Sequence, residues 1–255
     1  MPEMLQDKPH RTVVRVGDTV RRPLQPWSAR VHELLNYLES IGFPYSPRVK
    51  GIDDEGREVL TFLDGESGTD GWAKVVDERG LVAMARLLRE YHDAVRGFRP
   101  VAASGWAGCS GEGEGGGELI LHGDFGPWNL VWRGVQPIGI IDWDYAWPGR
   151  PLHDVAYALE YVAPFRDDES CLRWFAYPSA PDRRRRLELF AEAYGLASAE
   201  GLVDEVVTQQ HAVWDRARRL AAQGMQPQAE WQQTGFLDTT ADRVRWTREH
   251  RAFFE

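Results

Sequence analysis

Leu119-Ile120-Leu121-His122-Gly123-Asp124-Phe125-Gly126-Pro127-Trp128-Asn129 is the stretch that decides the reading, together with Ile140-Ile141-Asp142-Trp143-Asp144 a few residues on. An apolar strand delivers Asp124 into a loop kept tight by glycine and proline, and the amide of Asn129 follows five positions later. A second apolar strand then ends in the carboxylates of Asp142 and Asp144. Singly, each residue has a structural use. Asp124 and Asn129 can brace a Gly-Pro loop, Asp142 can cap a turn, and His122 can be a satisfied core histidine. Together, in this order and between two strands, they suit phosphoryl transfer from ATP. One carboxylate accepts the proton of an attacking hydroxyl, while an amide oxygen and a second carboxylate hold Mg²⁺, a hard cation that takes few protein ligands, all oxygen.

The Asp-x4-Asn spacing equals that of the protein-kinase catalytic loop, whose metal-binding aspartate lies on a later strand. His122-Gly-Asp124-x4-Asn129 with Ile141-Asp142-x-Asp144 resembles the aminoglycoside phosphotransferase/choline kinase family of small-molecule kinases. Pro151-Leu-His-Asp154-Val-Ala156 is similar to that family's Pro-x-x-Asp-Leu-Ala helix start. The resemblance implies an α+β, bilobal, protein-kinase-like fold with a small antiparallel-sheet N-lobe and a larger, mostly helical C-lobe. It implies Asp124 as catalytic base, Asn129 and Asp142 as Mg²⁺ ligands, and Asp144 as a further carboxylate at the metal. His122 and Asp154 are implied to brace the catalytic loop. The co-substrate would be ATP or GTP, and the acceptor a hydroxyl of a small, amine-containing molecule such as an aminoglycoside-like antibiotic. A protein kinase is disfavoured, because the span from Asp142 to Asp154 is too short for an activation segment.

Working outward, residues 12–16 and 19–22 are β-branched runs joined by Gly17-Asp18, a pair suited to a hairpin. Val31, Leu34, Leu35 and Leu38 recur at helical spacing, and two further strands are expected at 48–52 and 58–63. The N-lobe is therefore placed at 1–63 and the C-lobe at 64–255. In the C-lobe, Leu81, Met84, Leu87, Leu88, Tyr91 and Val95 mark one face of a long helix. Helices are also expected at 155–161, 187–194, 202–220 and 238–253, with the run Arg183-Arg184-Arg185-Arg186 as a solvated helix start. The segment 110–118 is a glycine- and glutamate-rich connector, since its acidity and the strand that follows do not fit a phosphate-binding loop.

The nucleotide side departs from the family pattern. Residues 5–11 hold no glycine, and the chain's three lysines, Lys8, Lys50 and Lys74, all lie off the strand 19–22. An arginine, Arg21 or Arg22, must face the phosphates instead, partnered from the first helix by His32 or Glu33. The resemblance further implies adenine recognition by backbone groups of the strand end from Thr61 to Leu63. Of four tryptophans near the loop, Trp132, Trp143 and Trp147 read as core, while Trp128 lies inside the loop and is offered to substrate. Glu160 is a candidate for binding an amine.

Composition narrows the function class further. The 255 residues are 43% hydrophobic and 27% charged, with two cysteines and a net charge of −9. No disulfide framework is expected from so few cysteines, and the acidity argues against nucleic-acid or anionic-membrane partners. No apolar run is long enough to span a bilayer and no signal peptide is apparent, so a cytoplasmic location is expected. A metal-dependent hydrolase using the same carboxylates would want a histidine-rich ligand cluster, which is missing. The remaining alternative to an active kinase is a catalytically weak or silent nucleotide-binding protein acting through partners, favoured by the absent strand lysine. The oligomeric state is not legible.

Overall fold

In the computed structural model, residues 2–8, 11–107 and 119–255 are described. The expected connector at 110–118 and Cys109 lie outside them. Five strands come early: β1 (Glu3–Lys8), β2 (Arg11–Val16), β3 (Thr19–Pro23), then helix α1 (Ser28–Ser40), β4 (Val49–Ile52) and β5 (Arg57–Thr61). They form one antiparallel sheet in the order β1-β2-β3-β5-β4. The hairpin at Gly17-Asp18 forms as the β-branched flanks predict, with Gly17 at φ 63°. In the β3/β5 register, Arg22 lies directly opposite Glu58. α1 buries Val31, Leu34, Leu35 and Leu38 beneath the sheet, as their spacing dictates.

The larger lobe is mostly helical. Helix α2 (Gly71–Val76) leads into α3 (Glu78–Ala94), whose start is capped by Asp77 accepting from the Arg79 amide. Leu81, Met84, Leu88 and Tyr91 of α3 are fully buried. Two small antiparallel pairs then frame the loop: β6 (Leu119–Leu121) with β9 (Trp147–Gly149), and the hairpin β7 (Leu130–Arg133) with β8 (Gln136–Ile140). Helices α4 (Pro151–Val162), α5 (Asp168–Trp174), α6 (Arg183–Tyr194), α7 (Leu202–Ala222), α8 (Gln228–Gln233) and α9 (Asp238–Glu249) complete the chain. This is the bilobal, protein-kinase-like α+β arrangement that the motifs imply. Among the described residues, no helix is long and apolar enough to cross a membrane.

One expectation needs correcting. The four-arginine run is not a solvated helix start, because Arg183 and Arg186 are buried. Their three-residue spacing turns both inward, where Arg183 Nε donates to the Pro164 carbonyl at 2.9 Å and Arg186 Nε to the Val162 carbonyl at 2.6 Å. Arg184 and Arg185 remain exposed. The run therefore fastens α6 to the end of α4.

Candidate active site

Strand β6 ends at Leu121, and its next residues cross beneath α4. The Asp154 carboxylate accepts from the His122 amide at 2.8 Å and the Gly123 amide at 2.9 Å, while His92 Nε2 lies 3.2 Å away. Tyr194 Oη sits 2.7 Å from His92 Nδ1, which extends the network to α6. Asp154 is buried, which works against its charge. The His92 hydrogen bond and the neighbouring histidines overcome that and hold its pKa below the usual carboxylate range. Gly123 has φ 77°, and a Cβ there would meet the Tyr145 carbonyl at 2.1 Å, so only glycine lets the two loops close on each other. The His122 ring reaches the Ile141 carbonyl at 2.9 Å and thereby ties the loop to the start of the acidic pair.

Asp124 then projects into the cleft. One carboxylate oxygen accepts from Tyr157 Oη of α4, and the other from Asn129 Nδ2 at 2.8 Å. The second Nδ2 hydrogen of Asn129 goes to the Asp124 carbonyl at 2.9 Å, so its amide oxygen is the atom left for a cation. Burial pushes Asp124 up to about 7, against the lowering pull of the Tyr157 and Asn129 hydrogen bonds.

Asp142 and Asp144 lie beyond β8. Asp142 adopts a left-handed backbone, φ 60° and ψ 60°, which an aspartate tolerates better than most residues and which turns its carboxylate toward the small lobe. There two arginines meet the acidic pair. Arg22 Nη2 is 3.0 Å from Asp144 Oδ1 and Arg22 Nη1 is 3.2 Å from Asp142 Oδ1. Arg11, at the first position of β2, donates to Asp142 at 2.7 and 3.2 Å and lies 3.1 Å from Asp144. Burial would raise the Asp142 pKa, but Arg11 and Arg22 hold it at about 2. Burial pushes Asp144 upward despite Arg22. The Arg22 charge resists its own burial through Asp144, Glu58 and Asp142.

The sheet register decides between the two strand arginines. Arg22 faces the acidic pair, whereas Arg21 points to the other face, its Nη1 3.5 Å from Asp53. Arg21 therefore lies away from the acidic pair. Nor does α1 supply the partner directly: Glu33 accepts from the Val101 amide and pairs with Arg30. The partner is Glu58, opposite on β5, which accepts from Arg22 Nε at 2.6 Å and lies 2.7 Å from His32. Glu58 was missed because only strand register brings it to Arg22. Arg11 was missed because its reach depends on the β1–β2 pairing.

The remaining expected residues are more scattered. Thr61 is occupied by Arg48, whose amide donates to its hydroxyl at 2.8 Å and whose carbonyl accepts from its amide at 2.9 Å. The Phe62 amide goes to the Asp18 carbonyl, so among the described residues the Leu63 amide is the one in this stretch without an acceptor. Trp132 and Trp143 are core. Trp147 is only half-buried. Trp128 is half-buried between Trp72, 4.9 Å away, and Tyr161, 4.7 Å away. Glu160 is 2% exposed and closed by Arg243 at 3.0 Å and Arg166 at 3.4 Å, so it offers no open carboxylate to an amine.

No group of three or more His, Cys, Asp or Glu side chains among the described residues is placed to hold a metal by itself.

The family model of the phosphotransferase enzyme family, APH, matches residues 114–189. The trifolitoxin immunity protein of Rhizobium leguminosarum bv. trifolii is 35% identical over 224 residues, spanning 86% of this chain and 83% of that protein. Among solved structures, the GDP complex of aminoglycoside 2'-phosphotransferase-IIIa superposes with a TM-score of 0.59 at 14% identity, covering 98% of this chain and 93% of the other. An amicoumacin kinase in complex with AMP-PNP, Ca²⁺ and Ami gives 0.62 at 11% identity, covering 98% of this chain and 88% of the other. With a relative that similar along most of both chains and the family model falling on the stretch that holds Asp124, Asn129, Asp142 and Asp144, the chain belongs to the APH family of phosphotransferases.

Proposed function

We propose that this chain is a kinase moving the γ-phosphoryl group of ATP or GTP to a hydroxyl of a small molecule. The observation that carries this is the convergence on one cleft of Asp124, Asn129, Asp142 and Asp144 with Arg22 from the opposite lobe. Asp124, held by Tyr157 and Asn129, would take the hydroxyl proton as the new bond to phosphorus forms. Arg22, held by Glu58, would clamp phosphate oxygens where the family pattern expects lysine, and Arg11 would close over them. The donor set fits Mg²⁺ at Asp142, Asp144 and the Asn129 amide oxygen. When bound, that ion would neutralise charge on the phosphates. Adenine or guanine would then meet the backbone at Leu63 rather than Thr61.

The solved neighbours hold GDP or AMP-PNP, which supports a nucleotide co-substrate and leaves the base open. A relative named for immunity to a toxin suits an enzyme that modifies a toxic molecule. The same name also suits a silent protein that protects by binding, and Arg11 seated on Asp142 favours that second reading. The two separate on one experiment. Mg·ATP and Mg·GTP should each be titrated calorimetrically into wild type and Asp124→Asn, followed by assay of nucleoside diphosphate release with a hydroxyl-compound library. The kinase reading expects both proteins to bind nucleotide, with turnover falling roughly 10²- to 10⁴-fold in the variant. Nucleotide binding without turnover in wild type supports the silent protein.

A further inference from the structure

Beside the loop that carries Asp124 lies a buried arginine that takes no part in the Arg11 and Arg22 ion pairs. Arg216, on α7, is 7% exposed, and its guanidinium lies over the Trp147 ring, 5.3 Å from the centroid. Its Nη1 is buried without an acceptor among the described residues, and so is Trp147 Nε1. Both donors sit beside the catalytic loop, because Trp147 Cδ1 is 3.0 Å from where a Cβ of Gly123 would be, one residue before Asp124. Asp124 and Asp154 attract the Arg216 charge but make no hydrogen bond to it among the described residues, and the two Asp124 oxygens already accept from Tyr157 and Asn129. Glu160 is closed by two other arginines. A guanidinium cannot shed its charge by losing a proton, and burying it unpaired is strongly unfavourable. Burial indeed pulls the Arg216 pKa down, against the attraction of Tyr157, Tyr145 and Asp124.

We propose that Arg216 and Trp147 Nε1 form an anion subsite for a carboxylate or phosphate carried by the acceptor. The substrate of this kinase is then a negatively charged hydroxy compound, not a polyamine. The assignment rests on the phosphotransferase reading for the position of the acceptor. An anion could also reach Arg216 as the γ-phosphate of the nucleotide, and the test separates the two sources.

Wild type, Arg216→Gln, Arg216→Lys and Trp147→Phe are titrated with N-acetylserine, N-acetylserinamide, inorganic phosphate and kanamycin. Each titration is run by calorimetry under saturating Mg·AMP-PNP, which blocks the nucleotide's own phosphate sites. The proposal expects N-acetylserine and phosphate to bind wild type and to bind Arg216→Gln at least tenfold more weakly. Arg216→Lys should recover part of that loss, Trp147→Phe should show a smaller loss, and affinity for AMP-PNP itself should be unchanged. Failure of both anions to bind wild type, equal binding to Arg216→Gln, or kanamycin binding more tightly than either anion overturns it. A tenfold loss of AMP-PNP affinity in Arg216→Gln assigns the guanidinium to the γ-phosphate and overturns it too. Should wild type fail to bind Mg·AMP-PNP at all, the kinase reading fails. N-acetylserine titrated without nucleotide then still tests the anion subsite. If Arg216→Gln does not fold, the lysine and phenylalanine variants carry the same comparison.

Discussion

Arg21 and Arg22 are neighbours in sequence and strangers in chemistry. Strand alternation sends Arg22 to Asp142, Asp144 and Glu58, and sends Arg21 toward Asp53. Arg22→Met should therefore weaken Mg·ATP binding at least tenfold, about 1.4 kcal/mol, while Arg21→Met leaves it within about twofold. Calorimetric titration of both variants decides the point, and equal losses would contradict the register-based assignment. Arg22→Lys should recover only part of the affinity. A lysine cannot contact both carboxylates and Glu58 with the guanidinium's planar fork. Sequence alone offered this pair for the strand cation and Asp124, Asn129 and Asp142 as candidates, because those three sit on one loop and one strand end. It could not choose between the arginines, since the choice depends on which face of β3 meets the other lobe.

At the scale of elements, Asp154 joins α4 to α3 and to the catalytic loop through two amides and His92. Replacing it by asparagine would turn a donor toward an amide that needs an acceptor, inside a fully buried network. Asp154→Asn should therefore cost about 3 kcal/mol or more. The loss should depend on pH with a definite sign. The native carboxylate titrates below its unfolded value of roughly 4, so its contribution is complete above that pH and fades as pH falls through the lowered native pKa. Urea denaturation from pH 6 down to pH 3 should show the stability gap between wild type and Asp154→Asn narrowing with acidity. A constant gap would mean that charge is not what Asp154 contributes. The helix carrying Asp154 was readable over 155–161 from its apolar spacing, and its start at Pro151 from the family resemblance. The strands β1, β7 and β9, and the short helices α5 and α8, were not. Each is only three to seven residues long and takes its form from the partner it packs on. Arg216 left a signal that could have been used: it is a charge in the buried stripe of α7 shared with Val206, Gln209 and Leu220.

Across the whole molecule, the lobes meet through ion pairs as well as apolar packing. Arg11 and Arg22 reach from the sheet to the acidic pair of the larger lobe. These pairs are partly or fully buried, so salt should screen them less than the exposed bridges elsewhere. Arg11 holds the carboxylate that a divalent cation would need. Arg11→Met should therefore bind Mn²⁺ without nucleotide more tightly, by roughly threefold or more, and bind Mg·ATP more weakly. Manganese titration followed by electron paramagnetic resonance measures the first effect and calorimetry the second. If metal affinity is unchanged, Arg11 does not compete for that position.

The short path from Asp142 to Asp154 has a further consequence. Those residues form a helical turn, the strand β9 paired to β6, and the first turn of α4. They are structural members of the lobe, and the chain has no separate segment there that a covalent mark could order or release. Under the kinase reading, turnover would then not wait on the ordering of this stretch.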